Sequence, residues 1–278
     1  MDELFLKSAK SVGKIVLLCT LLWFFMKFIV FAFEGNMLQI YVGLFIFTFI
    51  TLPTIFWIFF KDKLFAKFPK LAIIWKVYRI FYIIFIALWL GLWALGYWRA
   101  EQKDQNQKVI DFINSKKITM ADVMGQNLPP KPDQTQNDST IAGIDANNNY
   151  IRDDVELAIF EKYPNSAKIR SAMLQYAQAL QLELTKVSSS ETFVALMQKD
   201  DDAGTCLIRV VINLFSSDTP ESKKNRIDML ENIKKEVYDN VLNIDQRKNQ
   251  YEVMFEKYMQ GYAASNESCD VDLSSLPN

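Results

Sequence analysis

Three long apolar stretches near the amino terminus constrain this chain more than any other feature. They cover residues 15–33, 38–60 and 80–98. A helix needs about 20 predominantly apolar residues to cross the roughly 30 Å hydrocarbon core of a bilayer, and each stretch is close to that length. The sequence therefore predicts three transmembrane helices, which make residues 1–99 a membrane anchor in contact with the lipid bilayer.

The two parts of the chain differ in composition in the way that this division predicts. Residues 1–99 hold all six tryptophans and 16 of the 21 phenylalanines, with 11 basic residues against four acidic ones. Residues 100–278 hold 20 basic and 28 acidic residues. A basic, aromatic and apolar half followed by an acidic half is typical of an anchor joined to a soluble domain. The sequence contains no stripe of basic residues of the kind that binds nucleic acid.

Lysine and arginine are distributed unevenly between the segments that flank the apolar stretches. Three lysines precede residue 15, and residues 61–79 carry six basic residues, whereas the connection at residues 34–37 carries only Glu34. Short loops rich in Lys and Arg stay in the cytoplasm. The pattern predicts a cytoplasmic amino terminus and an extracytoplasmic domain from residue 99 onward.

The first apolar stretch has two other interpretations. It could be a signal sequence, although no small-residue cleavage site follows it, and the carboxy-terminal domain would lie on the same side in either case. Lys27 within it could indicate a channel or transporter subunit. The apolar stretches contain no acidic partner for this lysine, and a snorkelling side chain on an anchor helix also explains it.

The chain contains no histidine, which restricts the chemistry open to it. Ser-His-Asp hydrolysis, Cys-His catalysis and histidine-based zinc sites are excluded. Clustered acids could still act as general acids and bases, as in an acid/base hydrolase, and one such run is Asp200, Asp201 and Asp202. Adjacent acids at a helix end more often form a solvated face, so we expect no enzymatic activity.

Two cysteines, Cys206 and Cys269, belong to the acidic half, whereas Cys19 lies in the first apolar stretch. A single pair of cysteines outside the cytoplasm most simply forms a disulfide. Closing a loop of about 63 residues contributes roughly 4 kcal/mol in the chain-entropy model. Two free thiols are the alternative if the domain is cytosolic.

The apolar spacing of residues 141–278 is helical almost throughout, and no stretch alternates with a period of two. The "KDDDAG" run at residues 199–204 predicts an interruption of the third helix. We expect an all-α fold, with three transmembrane helices, a linker and an extracytoplasmic bundle of about five helices. The predicted boundaries are a stop near Pro164, N-caps at Ser166, Ser190 and Thr219, and a last helix from Asp245 to Gly261.

Residues 100–140 are predicted to connect the anchor to the bundle. Residues 100–117 are polar and weakly helical, which predicts a stalk that continues the third apolar stretch. Residues 128–140, "LPPKPDQTQNDST", are rich in Pro, Gln and Asn and favour an extended linker.

The segment "DANNNYIRDDVE", residues 145–156, carries oxygen ligands at the spacing of an EF-hand calcium loop. Alternate residues of such a turn point their oxygens inward, and the twelfth returns from the first turn of the next helix. The segment resembles the lone loops of dockerin-like and thrombospondin type 3-like repeats. The resemblance implies that Ca²⁺ is held by Asp145, Asn147, Asn149, the carbonyl of Ile151, Asp153 and Glu156.

Three features of this loop differ from the EF-hand pattern. Tyr150 occupies the glycine position, at a cost of about 1–2 kcal/mol. No amphipathic helix precedes Asp145, and asparagines replace two acids. These differences predict weak affinity, about 10⁻⁴ to 10⁻³ M, which suits a compartment rich in calcium. The metal-free alternative is an asparagine turn that caps a helix with Asp153, Asp154 and Glu156 in its first turn.

Residues 128–180 are also similar to an uncharacterised family of bacterial envelope proteins, in which a "GIDxNxNGxRDDVE"-like element opens a helical periplasmic domain after an anchor. The resemblance implies a multi-pass protein of a Gram-negative inner membrane with its carboxy-terminal domain in the periplasm. We expect this domain to bind an unidentified envelope protein. The alternatives are an immunity protein against an incoming toxin and a small channel or transporter subunit.

Overall fold

The computed structural model describes residues 66, 68, 70–215, 219–265 and 268–277. All regular structure in these residues is helical, which confirms the all-α prediction. The chain divides into two compact units, Met1–Ala94 and Leu95–Asn278.

The first helix, α1 (Lys70–Ser115), contains the third apolar stretch and extends through the predicted stalk. Among the residues that the structure describes, no helix has the length and apolar composition that a membrane span requires. The three predicted transmembrane helices therefore find no support here. The first two of them, residues 15–33 and 38–60, lie outside the described residues, as do Lys27 and Cys19.

Five α-helices follow residue 141 in the described part of the chain, as the apolar spacing predicted. Two short helices, α2 and α3, precede them, and a single 3-10 turn, Leu273–Ser275, follows. Their bounds are α2 (Met120–Val123), α3 (Gln134–Asn137), α4 (Asp153–Lys162), α5 (Ala167–Lys186), α6 (Ser190–Leu214), α7 (Pro220–Val241) and α8 (Asp245–Tyr258).

Helix α5 is the centre of the bundle. It is buried along almost its whole length and packs against α2, α4, α6, α7 and α8. A helix that is enclosed on every face must carry small or apolar residues on every face, which Ala172, Leu174, Ala177 and Leu180 provide. The polar groups of α5 are consequently inside the domain, where they need partners.

Helix boundaries follow local capping chemistry. Ser166 caps α5 by accepting the N–H of Ile169, and Thr219 caps α7 ahead of a first-turn proline, both as predicted. The N-cap of α6 is Ser189 and not Ser190, because Thr192 completes a reciprocal capping box with Ser189. The last helix ends at Tyr258 instead of Gly261.

The predicted interruption of the third helix is wrong, since α6 runs without a break through residues 199–204. Leu196, Ala203 and Leu207 are completely buried and keep the helical spacing on both sides of the acids. The acids thus lie in the middle of a helix and not at its end. The apolar stripe, and not the charge run, decided the local structure.

The predicted linker and the segment before it pack onto the domain. Ile118 and Val123, which precede the linker, join the main apolar core, and Asn137 within the linker is completely buried. The Asn137 side chain accepts the N–H of Ile144 at 3.0 Å and donates to Asp154 at 3.0 Å. These hydrogen bonds hold the linker against the domain although the linker has few apolar residues. Composition alone therefore predicted an extended segment, whereas the observed one is packed.

Cys206 of α6 and Cys269 form the predicted disulfide, with their sulfurs 2.08 Å apart and a sequence separation of 63. Gln175 of α5 holds the same tail, because its amide donates to the Ser268 carbonyl and accepts the N–H of Asp270. The tail is therefore fixed to both central helices.

Candidate metal centre

The predicted calcium loop is closed by its first residue. The two carboxylate oxygens of Asp145 accept the backbone N–H groups of Asn149 at 3.2 Å and Tyr150 at 3.0 Å. Asn147 accepts the N–H of Asn149, and Asn149 accepts that of Ile151. Side-chain oxygens at alternate positions therefore turn into the loop, as the spacing predicted.

Tyr150 adopts the backbone conformation that the loop normally gives to glycine. Its φ is +64°, and that of Asn148 is +58°. The left-handed region costs a residue with a Cβ about 1–2 kcal/mol, and a bulky residue seldom occupies it. Tyr150, at the sixth position of the loop, therefore keeps the left-handed backbone conformation that is usual for glycine there.

Contacts of the Tyr150 ring offset this cost. The ring packs edge-on against Phe112 of α1, with centroids 5.1 Å apart. The Nζ atoms of Lys116 and Lys186 lie 4.5 and 5.8 Å from the Tyr150 centroid. An aromatic pair contributes about 0.5–1.5 kcal/mol and an exposed cation–π contact about 0.5–1 kcal/mol. The tyrosine thus connects the loop to the stalk, which glycine could not do.

The loop returns through the first turn of α4. Asp153 accepts the N–H of Ala146 at 2.9 Å. The Oε2 atom of the buried Glu156 accepts the side-chain amides of Asn147 and Asn149, both at 3.0 Å. Four of the six predicted ligand residues, Asp145, Asn147, Asn149 and Glu156, therefore share one hydrogen-bonded network, and Asp153 contacts the loop through Ala146. The sixth, Ile151, places its side chain in the apolar core and was assigned a ligand role only through its carbonyl.

Burial of these carboxyl groups changes their protonation. Desolvation raises the pKa of Glu156 to about 7, against the opposing effect of the two asparagine amides. Desolvation also raises the pKa of Asp145 and of Asp153. A loop whose acids resist ionisation favours a proton or a cation at its centre.

The residues fit a hard cation in donor chemistry. Carboxylates, amide oxygens and a carbonyl are the ligands that Ca²⁺ takes. The Oε1 atom of Glu156 is buried without a hydrogen-bond partner among the described residues. Asn147 and Asn149 present amide nitrogen to Glu156, so oxygen ligation requires these amides to turn over. In the described part of the chain, no three His, Cys, Asp or Glu side chains lie close enough together to hold a metal ion.

Two buried arginines that the sequence analysis did not single out fix this loop to the domain. Arg152 donates to the carbonyls of Asn240 and Val241 at the end of α7, and to Asp154. Arg247 of α8 donates to three carbonyls of the turn before the loop, those of Asn137, Thr140 and Ile141. The "RDD" run was the available signal, since it places Asp154 two residues from Arg152, where the carboxylate can pair with the guanidinium.

Gly143 is required for Arg152 to pack. Its φ is +68°, and a Cβ atom at this position would lie 2.2 Å from Cδ of Arg152. Backbone atoms and the arginine therefore approach more closely than any side chain allows.

Two glutamines of α5 hold the loop from the core side. Gln178 donates to the carbonyl of Asn149 at 2.8 Å, and Gln181 donates to that of Ala142 at 2.7 Å. On the outer side, Asn147 donates to the Asn127 carbonyl. The loop is therefore attached to the core helix and to the segment after α2.

A second group of buried acids lies between α5 and α6, away from the loop sequence. Glu183 is completely buried, and neither of its carboxyl oxygens has a hydrogen-bond partner among the described residues. Desolvation raises its pKa well above the usual range, and burial raises that of Asp200 to about 6. Burial therefore favours the neutral form of Glu183, whereas Asp200 is still mostly ionised at neutral pH.

No protein-family model, curated protein or solved structure matches this chain. The resemblances to calcium repeats and to a bacterial envelope family therefore stay predictions.

Proposed function

We propose that this chain is a non-enzymatic, multi-pass protein of the bacterial inner membrane whose periplasmic helical domain binds another envelope protein. The anchor is supported by the three apolar stretches and by the charge asymmetry of the segments around them. Apolar side chains of α1 such as Phe81, Leu88 and Leu92 are about two-thirds exposed. Contact with lipid would remove the cost of leaving them in water.

The observation that carries the binding role is an apolar groove between α6 and α7. The groove has a volume of about 360 Å³, and five of its seven lining residues are aliphatic. Ile208, Ile212 and Ile227 in it are 42–57% exposed. Lys223 and Arg226 complete the lining.

This lining suits an amphipathic helix of the partner. Its apolar face would fill the groove, and its flanking acidic residues would face the two cations. Exposed isoleucines that a partner covers gain roughly 25 cal/mol for each Å² removed from water. We propose that calcium in the loop stabilises the same domain.

Site-specific photocross-linking at Ile212 in living cells tests the binding role. We expect a defined cross-linked species whose partner peptide is amphipathic and carries acidic residues. Ile227→Glu should abolish the cross-linked species. The new carboxylate would be buried among the aliphatic residues of the groove and would repel the acidic residues of the partner. Val253→Glu, at a comparably exposed position on α8, is the matched control. A cross-link that survives Ile227→Glu contradicts the assignment of the groove.

The topology has its own test. A phosphatase reporter fused after residue 278 should be active, since this enzyme requires the oxidising side of the membrane. A fluorescent reporter that matures only in the cytosol should stay dark at the same position. The opposite result would place the domain in the cytosol and remove the envelope partner.

A further inference from the structure

We propose that a cavity between the stalk part of α1 and the start of α6 binds the headgroup of a zwitterionic phospholipid, through its phosphate and its primary amine. The inference rests on the membrane anchor proposed above and extends it to a specific lipid contact. The cavity has a volume of about 420 Å³, within the range of small-molecule sites.

One face of α1 supplies most of the lining. The residues form two adjacent rows along the helix, each with a spacing of four residues, so their side chains share a face. Asn106 donates to Glu191 in the first turn of α6 at 3.2 Å, which ties the two walls of the cavity together. The lining residues on α1 are Trp98, Arg99, Gln102, Lys103, Asn106, Gln107 and Ile110, and Glu191 lines the opposite wall.

Two cations are available for the phosphate. Arg99 and Lys103 lie one helical turn apart, are exposed, and make no ion pair or hydrogen bond within the described part of the chain. Arginine binds phosphate oxygens in a bidentate manner, and lysine adds a compact charge. Gln102 and Gln107 place further donors along the same cavity.

Glu191 supplies the opposite charge for an amine. Its pKa is held below the usual range, mainly by a hydrogen bond from Ser189, so the carboxylate is ionised at neutral pH. A site with two cations on one wall and a carboxylate on the other matches a ligand that carries phosphate and ammonium a few atoms apart. A simple anion would leave Glu191 as a repulsive group.

The place of the cavity in the sequence indicates a lipid as the source of this ligand. Trp98 is the last residue of the apolar stretch 80–98, and the basic residues follow immediately. Tryptophan favours the membrane interface, and basic residues beside a span contact lipid headgroups. The cavity would therefore lie at the depth of the phosphates.

The test uses the full-length protein in mild detergent, with lipid binding followed by native mass spectrometry. Phosphatidylethanolamine should bind about tenfold or more tightly than phosphatidylcholine, because a quaternary ammonium cannot donate an N–H to Glu191. The double variant Arg99→Gln, Lys103→Gln should lose about tenfold or more in affinity for either lipid. The matched control Lys108→Gln, Lys131→Gln removes two charges elsewhere and should bind as the parent does.

Glu191→Gln separates the two halves of the site. It should keep the phosphate contact and abolish the preference for the primary amine. Soluble phosphoethanolamine should compete for the site better than inorganic phosphate, and equal competition would reduce the cavity to a simple phosphate site. Equal lipid binding by the Arg99, Lys103 variant and its control would overturn the proposal. Release of the protein from membranes by alkaline carbonate would contradict the proposed membrane anchor. This result is distinguishable from a failure of lipid binding.

Discussion

The domain buries polar groups in two regions and keeps them there by different means. Around the calcium-like loop, Arg152 and Arg247 donate to backbone carbonyls and to carboxylates, so most buried charge has a partner. Between α5 and α6, Glu183 has no hydrogen-bond partner among the described residues, and its pKa rises well above the usual range. Hydrogen bonds accommodate the two buried arginine charges in the first region, whereas burial favours the neutral, protonated form of Glu183 in the second.

The largest change in the free energy of unfolding should follow from removal of a buried arginine in the first region. Arg247→Ala leaves three carbonyls without their donor and removes one of the donors to the Asp138 carboxylate, and it should lower the free energy of unfolding by about 3–5 kcal/mol. Chemical denaturation followed by circular dichroism measures this change. Lys248→Ala, at the exposed neighbouring position, should stay within about 0.5 kcal/mol of the parent. A loss below about 1 kcal/mol for Arg247→Ala would mean that water replaces the arginine.

The unpartnered acid should respond in the opposite direction. Glu183→Leu removes both orphan oxygens and should raise the free energy of unfolding by about 1–3 kcal/mol at pH 8. The gain should shrink at pH 5. A carboxyl group with a raised folded-state pKa stabilises the parent below its unfolded pKa, and this stability is lost as pH rises through the folded value.

The titratable groups that interact with Glu183 define the control. They are Tyr176 on α5, Asp200 on α6, Tyr251 on α8 and Tyr262 after α8. Asp200→Asn should shift part of the same pH dependence toward lower pH, since it removes a like charge that raises the pKa of Glu183. A pH profile that is identical in the parent and in Glu183→Leu would assign the dependence to other groups.

Calcium binding should depend on pH through Glu156. Its carboxyl has a pKa of about 7, so a cation competes with its proton. We expect calcium affinity to rise about tenfold between pH 6 and pH 8, because the ionised fraction rises by about that factor. Without calcium, the contribution of this group to stability is complete below its unfolded pKa and is lost as pH rises through about 7.

Thermal unfolding of the full chain with and without millimolar calcium measures this effect. Glu156→Gln should abolish the calcium-dependent rise in melting temperature, and the exposed Asp245→Asn should not. A rise that persists in Glu156→Gln would place the cation elsewhere. If calcium does not raise the melting temperature of the parent, the segment acts only as a hydrogen-bonded asparagine turn.

The smallest effect is expected at Tyr150, where strain and contacts nearly cancel. Tyr150→Gly removes about 1–2 kcal/mol of backbone strain together with the aromatic contacts, so its stability should stay within about 1 kcal/mol of the parent. Tyr150→Ala keeps the strain and loses the contacts, and it should cost about 1–3 kcal/mol. If the two variants are equally stable, the left-handed backbone is not strained.

The sequence predicted what depends on short-range rules. Ser166 and Thr219 as caps, the helix count and the pairing of Cys206 with Cys269 follow from local chemistry and from cysteine number. The side-chain oxygens of Asp145, Asn147 and Asn149 turn into the loop because their spacing is fixed along one turn. The sequence did not reveal Arg247, because its acceptors are carbonyls more than 100 residues away, and carbonyls leave no trace in the sequence.

Arg152 has a mechanical consequence for the domain. It donates hydrogen bonds to the last carbonyls of α7. The opposite half of that helix contributes Ile227 and Leu230 to the apolar groove. A 22-residue helix is about 33 Å long and moves as a stiff rod, so displacement at one end is felt at the other. A rearrangement of the asparagine turn would therefore reach the groove through α7, and any coupling between the proposed calcium and the proposed partner would be equal in both directions.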